Sequence, residues 1–485
     1  MDERAAIPVT LPRANPTISY WQDPPDPQLA DYLSSASLPE TADVVIIGSG
    51  ITGSSVAWNL LQNSNHGKII MLEARQACSG ATGRNGKWET GGHTKAASYR
   101  SFLSNASSLS TSEAVKIARL EYTNIRAVHQ FAKEHGIQCD SWQGDTVDII
   151  YDQAQWDEAH TAIAAMRATM PGEEDLKTVS RYRFWSKEEA REHWRVRGED
   201  FVGAVSYEAG SLSAYKFVVG LLKICLPLGL ELYTNTPATS ISKSEDGEGW
   251  RIETGKGTVK AKKVVLATNG YTAHLWKGFQ GSIVPLRGQI TAHRPGGNIP
   301  KEGLKGTYSF IYQNGYEYMI PRPLGSKHAG DIIIGGGLVK AAEEGLYEFG
   351  TTDDTTKNEG ISKYLAETTP RYFGSTWGED HPDGRIRKEW TGIMGYSSDG
   401  FPFVGEIPGQ KQLWVAASFQ GHGMVLCWKS AEALFGMMGG GSGKDGALKE
   451  WFPDVFKVSE ERMKKRFEGR LHTKVNAMEV ESKAE

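Results

Sequence analysis

Short apolar runs stand out from an otherwise mixed pattern of hydrophobic and polar positions. Residues 44–47 (VVII) and 69–72 (IIML) are apolar at every position, and an amphipathic helical stretch lies between them. A strand that is buried on both faces has such a continuous run, whereas a strand with one wet face alternates. A third run, VVL at 264–266, has the same character. The pattern predicts an α/β fold with a parallel sheet.

Other stretches carry the spacing of helices. Ser110 and Glu113 form a capping-box pattern before one helix, and Ser186 with Glu189 forms another before residues 187–194. Further helices are predicted over about 154–169, 212–226 and 357–370.

Strand patterns dominate between residues 282 and 388. The segments IVPLRGQITAH, YEYMIPRP and DIIIGGGLV are bounded by turn residues, which predicts antiparallel strands. With 485 residues, the chain is too long for one hydrophobic core, so we expect at least two domains. A second sheet that covers a ligand bound to the first sheet fits this pattern.

Three glycines follow the first apolar run at the spacing of a dinucleotide-binding turn. Gly48 permits a tight turn, Gly50 lets the backbone approach a diphosphate, and Gly53 lets the next helix pack against the strand. Glu73 directly follows the second run and lies about 20 residues after Gly53. At this spacing a carboxylate accepts hydrogen bonds from an adenosine ribose. Glu73 disfavours a 2′-phosphate, although the nearby Arg75 leaves that question open. The turn by itself does not distinguish FAD from NAD.

Later segments repeat the arrangement of a strand followed by a small-residue turn. The third run continues into ATNGY, and the strand LWVAAS leads through Gly421 and Gly423 into a helix expected to start at about Met424. Helix N-termini and exposed backbone amides stabilise negative charge. A glycine-rich loop, residues 78–95, also follows Glu73 and can wrap a cofactor, although its composition equally fits a surface loop.

The composition argues against several classes of protein. Lys and Arg total 54 against 58 Asp and Glu, a formal net charge of −4, and nucleic acid is therefore not an expected partner. The four cysteines are widely spaced, so we expect neither a disulfide framework nor a zinc site, and no metal. No segment has the apolar length of a membrane span, and the N-terminus does not read as a secretory signal. We expect a cytoplasmic protein without a membrane partner.

Five motifs, in order, resemble the FAD-dependent oxidoreductases of the D-amino-acid oxidase family, which includes glycine, sarcosine and γ-glutamylputrescine oxidases. They are GSGITG with Glu73, SGATGRNG with GGHTK, VVLATNGYT, PLRGQ, and WTGIMGYSSDGFPFVG with FQGHGM. The resemblance implies an α/β fold, α+β overall, with a Rossmann-like FAD-binding domain that is discontinuous in sequence and a substrate domain on a mixed antiparallel sheet. The implied division is an N-terminal arm (1–42), an FAD-binding domain (43–110, 205–275 and 389–438), a substrate domain (111–204 and 276–388), and a linker with a C-terminal tail (439–485).

The same resemblance implies which residues surround FAD. The loop from Ser79 to Asn85 would pass the isoalloxazine and the ribityl chain, the backbone before Thr239 would contact the adenine, and residues 399–405 and 421–424 would line the ribityl and pyrimidine side. The expected cofactor-binding residues are Gly48, Gly50, Ile51, Thr52, Gly53, Glu73, Ala74, Arg75, Ser79, Gly80, Thr82, Arg84, Asn85, Gly86, Thr239, Ala267, Thr268, Asn269, Gly270, Asp399, Gly421, His422, Gly423 and Met424.

Two features depart from the family pattern. The usual run RNGGH is interrupted here, because residues 87–91 (KWETG) separate Gly86 from Gly92 and His93. The insertion falls close to the expected flavin face, where it would reshape the site, form a surface bulge or impair flavin seating. No cysteine lies between residues 390 and 405, where sarcosine oxidases attach FAD, so non-covalent FAD is favoured, with His93 as an alternative anchor.

The substrate side offers a small set of polar candidates. A substrate carboxylate would need an arginine fork, for which Arg287 in PLRGQ and Arg322 in YEYMIPRP are candidates, although each also fits a surface ion pair. Tyr318 shares a strand face with Tyr316 and would cap the cavity or pack in the core. The candidate catalytic residues are His93, Arg287, Tyr318, Arg322 and His422, and Trp390 and Gln420 are expected in the cavity wall.

The resemblance implies oxidation of an amine or amino acid at the carbon next to nitrogen, with dioxygen as the second substrate and hydrogen peroxide as a product. The alternatives are a flavin-dependent dehydrogenase, a tailoring enzyme that acts on an amine in a larger metabolite, and a non-catalytic flavin-binding relative. Fold alone does not decide among substrates. The identity of the amine and the oligomeric state are left open.

Overall fold

The computed structural model describes residues 1–62, 67–85, 98–102, 109–198, 200–245, 247–313, 315–439 and 445–469. Within these ranges the β-strands are β1 (Thr41–Ile47), β2 (Ile69–Leu72), β3 (Trp142–Ile150), β4 (Tyr182–Trp185), β5 (Gly203–Ser211), β6 (Leu230–Tyr233), β7 (Ala238–Lys243), β8 (Trp250–Thr254), β9 (Gly257–Leu266), β10 (Ile283–His293), β11 (Thr307–Tyr312), β12 (Gly315–Pro321), β13 (Ile332–Gly335), β14 (Ile386–Ser397), β15 (Phe403–Glu406) and β16 (Leu413–Ala417). The α-helices are α1 (Asp2–Ala6), α2 (Ile51–Leu61), α3 (Ala81–Arg84), α4 (Thr111–Glu134), α5 (Gln153–Thr169), α6 (Glu173–Lys177), α7 (Lys187–Trp194), α8 (Ala214–Cys225), α9 (Thr272–Leu275), α10 (Glu359–Ala366), α11 (Thr368–Phe373), α12 (Gly423–Met437), α13 (Asp445–Trp451) and α14 (Glu460–Lys464).

The first sheet has a parallel centre, as the apolar runs predict. Its strand order is β15-β16-β9-β1-β2-β6, with the hairpin β7–β8 attached to β9. The pairs β16–β9, β9–β1, β1–β2 and β2–β6 are parallel. Ile46 and Met71 pack in one hydrophobic core and Val45 and Ile70 in another, so both faces of this sheet are covered.

The second sheet is mixed and mostly antiparallel. Its order is β14-β10-β13-β12-β11-β3-β5-β4, and only the β11–β3 pair is parallel. Helices α10 and α11 cover one face, where Ile361, Leu365 and Tyr372 join a third core. The predicted fold class, a Rossmann-like domain with a second domain on a mixed antiparallel sheet, is confirmed.

Several predicted helices and caps are present with small shifts at their ends. The Ser186 and Glu189 side chains form a reciprocal capping box at the start of α7. The Ser110 side chain accepts from the Glu113 amide, but the Glu113 carboxylate turns away to accept from the Val455 amide, so the second box is incomplete. The single helix predicted over 357–370 is two helices, α10 and α11, that meet at Glu367.

The two sheets do not follow all of the proposed domain limits. Strand β5, most of which falls in the segment 205–275, and strand β14, most of which falls in 389–438, belong to the second sheet. Both segments were expected in the FAD-binding domain. Apolar and polar residues alternate little along β5 and β14, because both faces of the second sheet are also largely buried. The sequence pattern therefore does not distinguish these two strands from strands of the first sheet.

The termini pack against the folded body within the described ranges. Arg4 of α1 donates to the Phe349 carbonyl, and Ala5 shares a small core with Phe349 and Phe467. The rest of the N-terminal arm has little regular structure, as predicted, and Trp21 is buried. No helix in the described part of the chain is both long and apolar enough to cross a membrane.

Candidate active site

The glycine turn after β1 is held by close backbone contacts. Gly48 has φ +108°, and a Cβ there would lie 2.6 Å from the Ala267 carbonyl oxygen. A Cβ on Gly53 would lie 1.9 Å from the Gly48 carbonyl oxygen, so α2 can approach β1 only with glycine at this position. The Ile51 amide, in the first turn of α2, donates to the Thr82 hydroxyl at 3.0 Å. These contacts form a backbone cradle at a helix N-terminus, which is a site for anionic groups.

Glu73 lies at the end of β2, next to this cradle. One carboxylate oxygen, Oε2, accepts from the Ser49 amide at 3.0 Å and from the Ser49 hydroxyl at 2.7 Å, and Oε1 accepts from the Arg75 amide at 3.0 Å. Each carboxylate oxygen has two lone pairs, so Oε1 can accept a further hydrogen bond. The carboxylate is thus held in place and can still receive a ribose hydroxyl.

A cavity of about 800 Å³ runs from the glycine turn to the second sheet. On the first side it is lined by Gly48, Gly50 and Glu73, and on the other by Arg287 and Tyr318. Many further predicted residues line it as well: Ile51, Thr52, Ala74, Arg75, Gly80, Thr82, Arg84, Asn85, Ala267, Thr268, Asn269, Gly421 and Gly423. A ligand that spans both sheets therefore fits this space.

A buried aspartate pairs with two arginines in the cavity wall. Asp354 is fully buried and lies 2.9 Å from Arg75 Nη1 and 3.4 Å from Arg84 Nε. Arg84 also donates to the Thr391 carbonyl and to Thr17, and burial lowers the pKa of its guanidinium to about 10. Because Arg75 is engaged by Asp354 and by the Ser79 carbonyl, it is not set to receive a 2′-phosphate.

Arg287 faces the cavity with its charge already paired. Its Nε and Nη2 donate to the two carboxylate oxygens of Glu348 at 2.6 and 3.1 Å, and its Nη1 donates to the Thr356 hydroxyl at 2.7 Å. The Glu348 side chain is only 2% exposed. A bidentate pair of this kind leaves little capacity for a second carboxylate.

The Tyr318 ring lies over Gly335 of the neighbouring strand. A Cβ on Gly335, its partner across the β12–β13 pair, would lie 1.5 Å from the Tyr318 hydroxyl oxygen, so the ring occupies the space that a side chain would need. Tyr316 and Tyr318 share a strand face, as predicted, and both line the cavity.

Several expected site residues lie outside the cavity wall. Arg322 is 4% exposed, donates to Asp140 at 2.7 Å and lies 4.7 Å from the Trp21 ring centre, so it is not a substrate fork. Asp399 is paired with Arg462 of α14, and Thr239 is exposed while its neighbour Ala238 lines the cavity.

Other expected residues support the wall from behind. His422 is the N-cap residue of α12 and contacts the Gln420 carbonyl through Nδ1 at 2.8 Å. The residues behind the lining are Gly53, Ser79, Gly270, Trp390, Gln420, His422 and Met424. Trp390 donates to the Arg84 carbonyl, which explains its complete burial. His93, Gly86 and the insertion 87–91 lie outside the described residues.

The sequence analysis missed several residues of this wall. Tyr271 follows ATNG directly and lines the cavity, and it could have been found as the end of that motif. Gln289 also lines the cavity and could have been found as the last residue of PLRGQ. Asp354, which braces the wall, and Glu317, which lines it, come from segments without a recognisable motif, so only the folded structure brings them here.

The wall also has a buried polar atom that a cofactor could satisfy. Within the described ranges, the buried hydroxyl of Tyr271, which lines the cavity, has no hydrogen-bond partner. A buried polar atom without a partner costs free energy, so this hydroxyl favours a ligand that pairs with it. With the glycine cradle and Glu73, it fits a large polar cofactor such as a dinucleotide.

A glycine cradle at a helix N-terminus that opens into a cavity under a second sheet is the arrangement of a dinucleotide-binding protein. The chain belongs to the FAD dependent oxidoreductase (DAO) family, whose model matches residues 43–436. FAD is therefore its cofactor.

Curated relatives are distant. The "Probable oxidoreductase OrdL" of Rhizobium meliloti is 24% identical over 422 residues, which is 84% of this chain and 87% of that protein. The protein of the same name from Haemophilus influenzae is 24% identical over 268 residues, 53% of this chain but only 56% of that protein's length. Among solved structures, glycine oxidase from Geobacillus kaustophilus superposes with a TM-score of 0.64 at 20% identity, covering 83% of this chain and 95% of that one. At that identity the likeness supports the fold.

Proposed function

We propose that this chain oxidises amines at the carbon next to nitrogen, with non-covalently bound FAD and with dioxygen as the electron acceptor, which yields hydrogen peroxide. The products on the substrate side are an imine and, after hydrolysis, a carbonyl compound. The glycine oxidase fold of the structural neighbour and the cavity between the glycine turn and the second sheet support this assignment.

One observation carries the choice of an amine over an α-amino acid. Each arginine that lines the described part of the cavity is paired with a buried carboxylate: Arg75 and Arg84 with Asp354, and Arg287 with Glu348. No lysine lines that part of the wall. A substrate carboxylate would therefore meet no lysine and no unpaired arginine there, and burying an unpaired carboxylate is costly.

Acidic groups lie at the substrate end of the same cavity. Glu343 and Glu344 are exposed at its edge. A cationic amine is attracted to such a wall, whereas an anion is repelled. The charge distribution thus agrees with the pairing of the arginines.

The residues of the chain have distinct tasks in this reaction. The amides of Gly50 and Thr52 would hold the diphosphate of FAD, and the Glu73 carboxylate would hold its ribose. Tyr316 and Tyr318 would orient the substrate under the second sheet, and Gly423 at the start of α12 brings a helix N-terminus to the wall, which stabilises negative charge. When bound, FAD supplies the acceptor for the hydride.

The cysteines support non-covalent binding. Cys78, Cys139, Cys225 and Cys427 are all buried and form no disulfide, and none lies in the segment 390–405. Cys427 lines the cavity but receives a hydrogen bond from the Thr52 hydroxyl at 3.1 Å behind the glycine turn.

The test compares amines with the α-amino acids that differ from them only by a carboxylate. Purified holoenzyme is mixed with cadaverine or lysine, and with phenethylamine or phenylalanine in both enantiomeric forms, and peroxide is measured. The proposal expects turnover of at least one amine and a much lower kcat/KM for its carboxylated partner. Faster turnover of the amino acids would contradict the amine assignment. Bleaching of the yellow colour without peroxide would identify a dehydrogenase instead.

A further inference from the structure

One buried asparagine lies in the apolar contact between helices α4 and α12. The two helices pack against each other through side chains of the same hydrophobic core. Asn124 of α4 lies in this contact and is fully buried. Asparagine is a poor helix former, and burying its amide group costs free energy unless the group is hydrogen-bonded. A polar side chain in this position therefore needs partners on the neighbouring helix.

Both partners of Asn124 are backbone groups of α12. Its Nδ2 donates to the Met424 carbonyl at 2.7 Å, and its Oδ1 accepts from the Lys429 amide at 2.9 Å. The second bond competes with the usual helical bond from the Lys429 amide to the Val425 carbonyl. A buried asparagine between packed helices specifies their register, whereas apolar side chains tolerate small shifts along the helix axis. Asn124 therefore fixes the position of α12 along α4.

This register matters because α12 begins at the cavity wall. Gly423 is the first residue of α12 and lines the cavity, and Met424 follows it directly. The side chain of the N-cap residue His422 does not cap the helix, and the Gly423 and Met424 amides have no hydrogen-bond partner within the described ranges. Unpaired amides give a helix start a partial positive charge whose effect falls off within one turn. A small shift of α12 would therefore change how strongly it stabilises an anionic ligand.

Other contacts near the start of α12 leave this task to Asn124. The Thr52 hydroxyl of α2 donates to Cys427 Sγ at 3.1 Å, but a thiol is a weak acceptor. The Asn269 side chain accepts from two amides of the loop that precedes α12, at 3.0 and 3.3 Å. These bonds hold one side chain of the helix and the loop before it. The bonds of Asn124 hold backbone groups within the first two turns.

We propose that Asn124 is a positioning residue for the flavin. It fixes the register of α12 on α4 and so holds the Gly423 and Met424 amides at the cavity wall, where they favour the extra negative charge of reduced FAD over oxidised FAD. The inference rests on FAD as the cofactor and does not depend on which amine is oxidised. A property of the bound flavin, its reduction potential, therefore reports the role of a side chain on a different helix.

The direct test measures the reduction potential of the purified holoenzyme without any amine, by slow chemical reduction beside a reference dye. Asn124→Leu keeps the shape of the side chain and removes both hydrogen bonds. We expect reduced FAD to be bound roughly 3- to 10-fold less tightly relative to oxidised FAD than in the wild type. For a two-electron couple this corresponds to a potential lower by about 15–30 mV.

A matched control separates positioning from a general loss of stability. His129 is another buried polar residue of α4, but its Nδ1 contacts the Ser141 hydroxyl and no group of α12. Both Asn124→Leu and His129→Leu should lower the urea concentration at which half the protein is unfolded, whereas only Asn124→Leu should lower the potential. Asn124→Ala provides a second variant, because it adds no apolar bulk and leaves room for water beside the two freed backbone groups. Its potential should also fall.

An unchanged potential in both Asn124 variants, or an equal fall in His129→Leu, would overturn the proposal. A rate measurement distinguishes it from the proposed function. At saturating amine, the anaerobic bleaching of the flavin should be several-fold slower in Asn124→Leu, while the amine concentration for half-saturation stays at the wild-type value. A wild-type flavin that no amine bleaches would contradict the proposed function, and the comparison of potentials would still test the role of Asn124.

Discussion

Replacing Gly53 by alanine tests whether the close approach of α2 to β1 builds the FAD site. The new Cβ would lie 1.9 Å from the Gly48 carbonyl oxygen, so the helix start must move by about 1.5 Å to reach ordinary contact distance. Such overpacking costs about 1–3 kcal/mol of folding stability. It also shifts the amides of the first helical turn, and loss of one hydrogen bond to a charged group costs about 1.5–3 kcal/mol.

The expected result is a weaker FAD complex. One lost hydrogen bond of that strength corresponds to a Kd about 10- to 100-fold higher. The assay titrates the FAD-free protein with FAD and follows the change in flavin fluorescence. Gly255→Ala is the control, because Gly255 does not line the cavity and a Cβ there meets nothing within 4 Å. Equal FAD affinity in Gly53→Ala and Gly255→Ala would refute the reasoning.

Three other changes follow from particular contacts. Asp354→Asn removes the partner of two largely buried arginines and should lower the free energy of unfolding by about 3–5 kcal/mol. Asp380→Asn, at the more exposed pair with Arg385, should lower it by only about 0–1 kcal/mol, and urea denaturation measures both values. Burial tends to raise the pKa of Asp399, but the ion pair with Arg462 lowers it below its usual value. Arg462→Gln should therefore be less stable than wild type at pH 7, and this difference in stability should shrink as the pH falls through the carboxyl range. A stability difference that is unchanged at low pH would argue against the pair. Burial lowers the pKa of His293 to about 3, so between about pH 3 and 6.5 the unfolded state binds a proton at this residue that the folded state does not. The contribution of His293 to the free energy of unfolding should therefore rise by about 1.4 kcal/mol per pH unit over this range. His293→Gln should flatten this part of the plot of stability against pH.

The sequence was most informative where backbone geometry restricts the residue type. Gly48 and Gly53 are required by contacts of 2.6 and 1.9 Å, and such a turn leaves a visible spacing in any sequence that forms it. The continuous apolar runs at 44–47 and 69–72 likewise report burial on both faces of a sheet. The parallel centre of the first sheet could therefore be predicted.

The substrate side could not be predicted in the same way, because its side chains are chosen by partners far away in sequence. Arg322 and Arg287 look alike as strand arginines, yet Asp140 holds the first away from the cavity and Glu348 neutralises the second within its wall. The hydrogen bonds that join Glu317, Tyr372 and Tyr312 connect β12, α11 and β11, which share no motif. Ion pairing and cross-strand register decide these roles, and neither leaves a local pattern.

The most direct test of the central claim is an anaerobic titration of the purified holoenzyme with an amine, followed by admission of oxygen. The account predicts a flavin spectrum that is bleached by the amine without oxygen and returns with one peroxide formed per flavin when oxygen is admitted. Acid precipitation of the same sample should release the yellow colour to the supernatant. A flavin spectrum that no amine bleaches, or bleaching by amino acids and not by amines, would contradict the account.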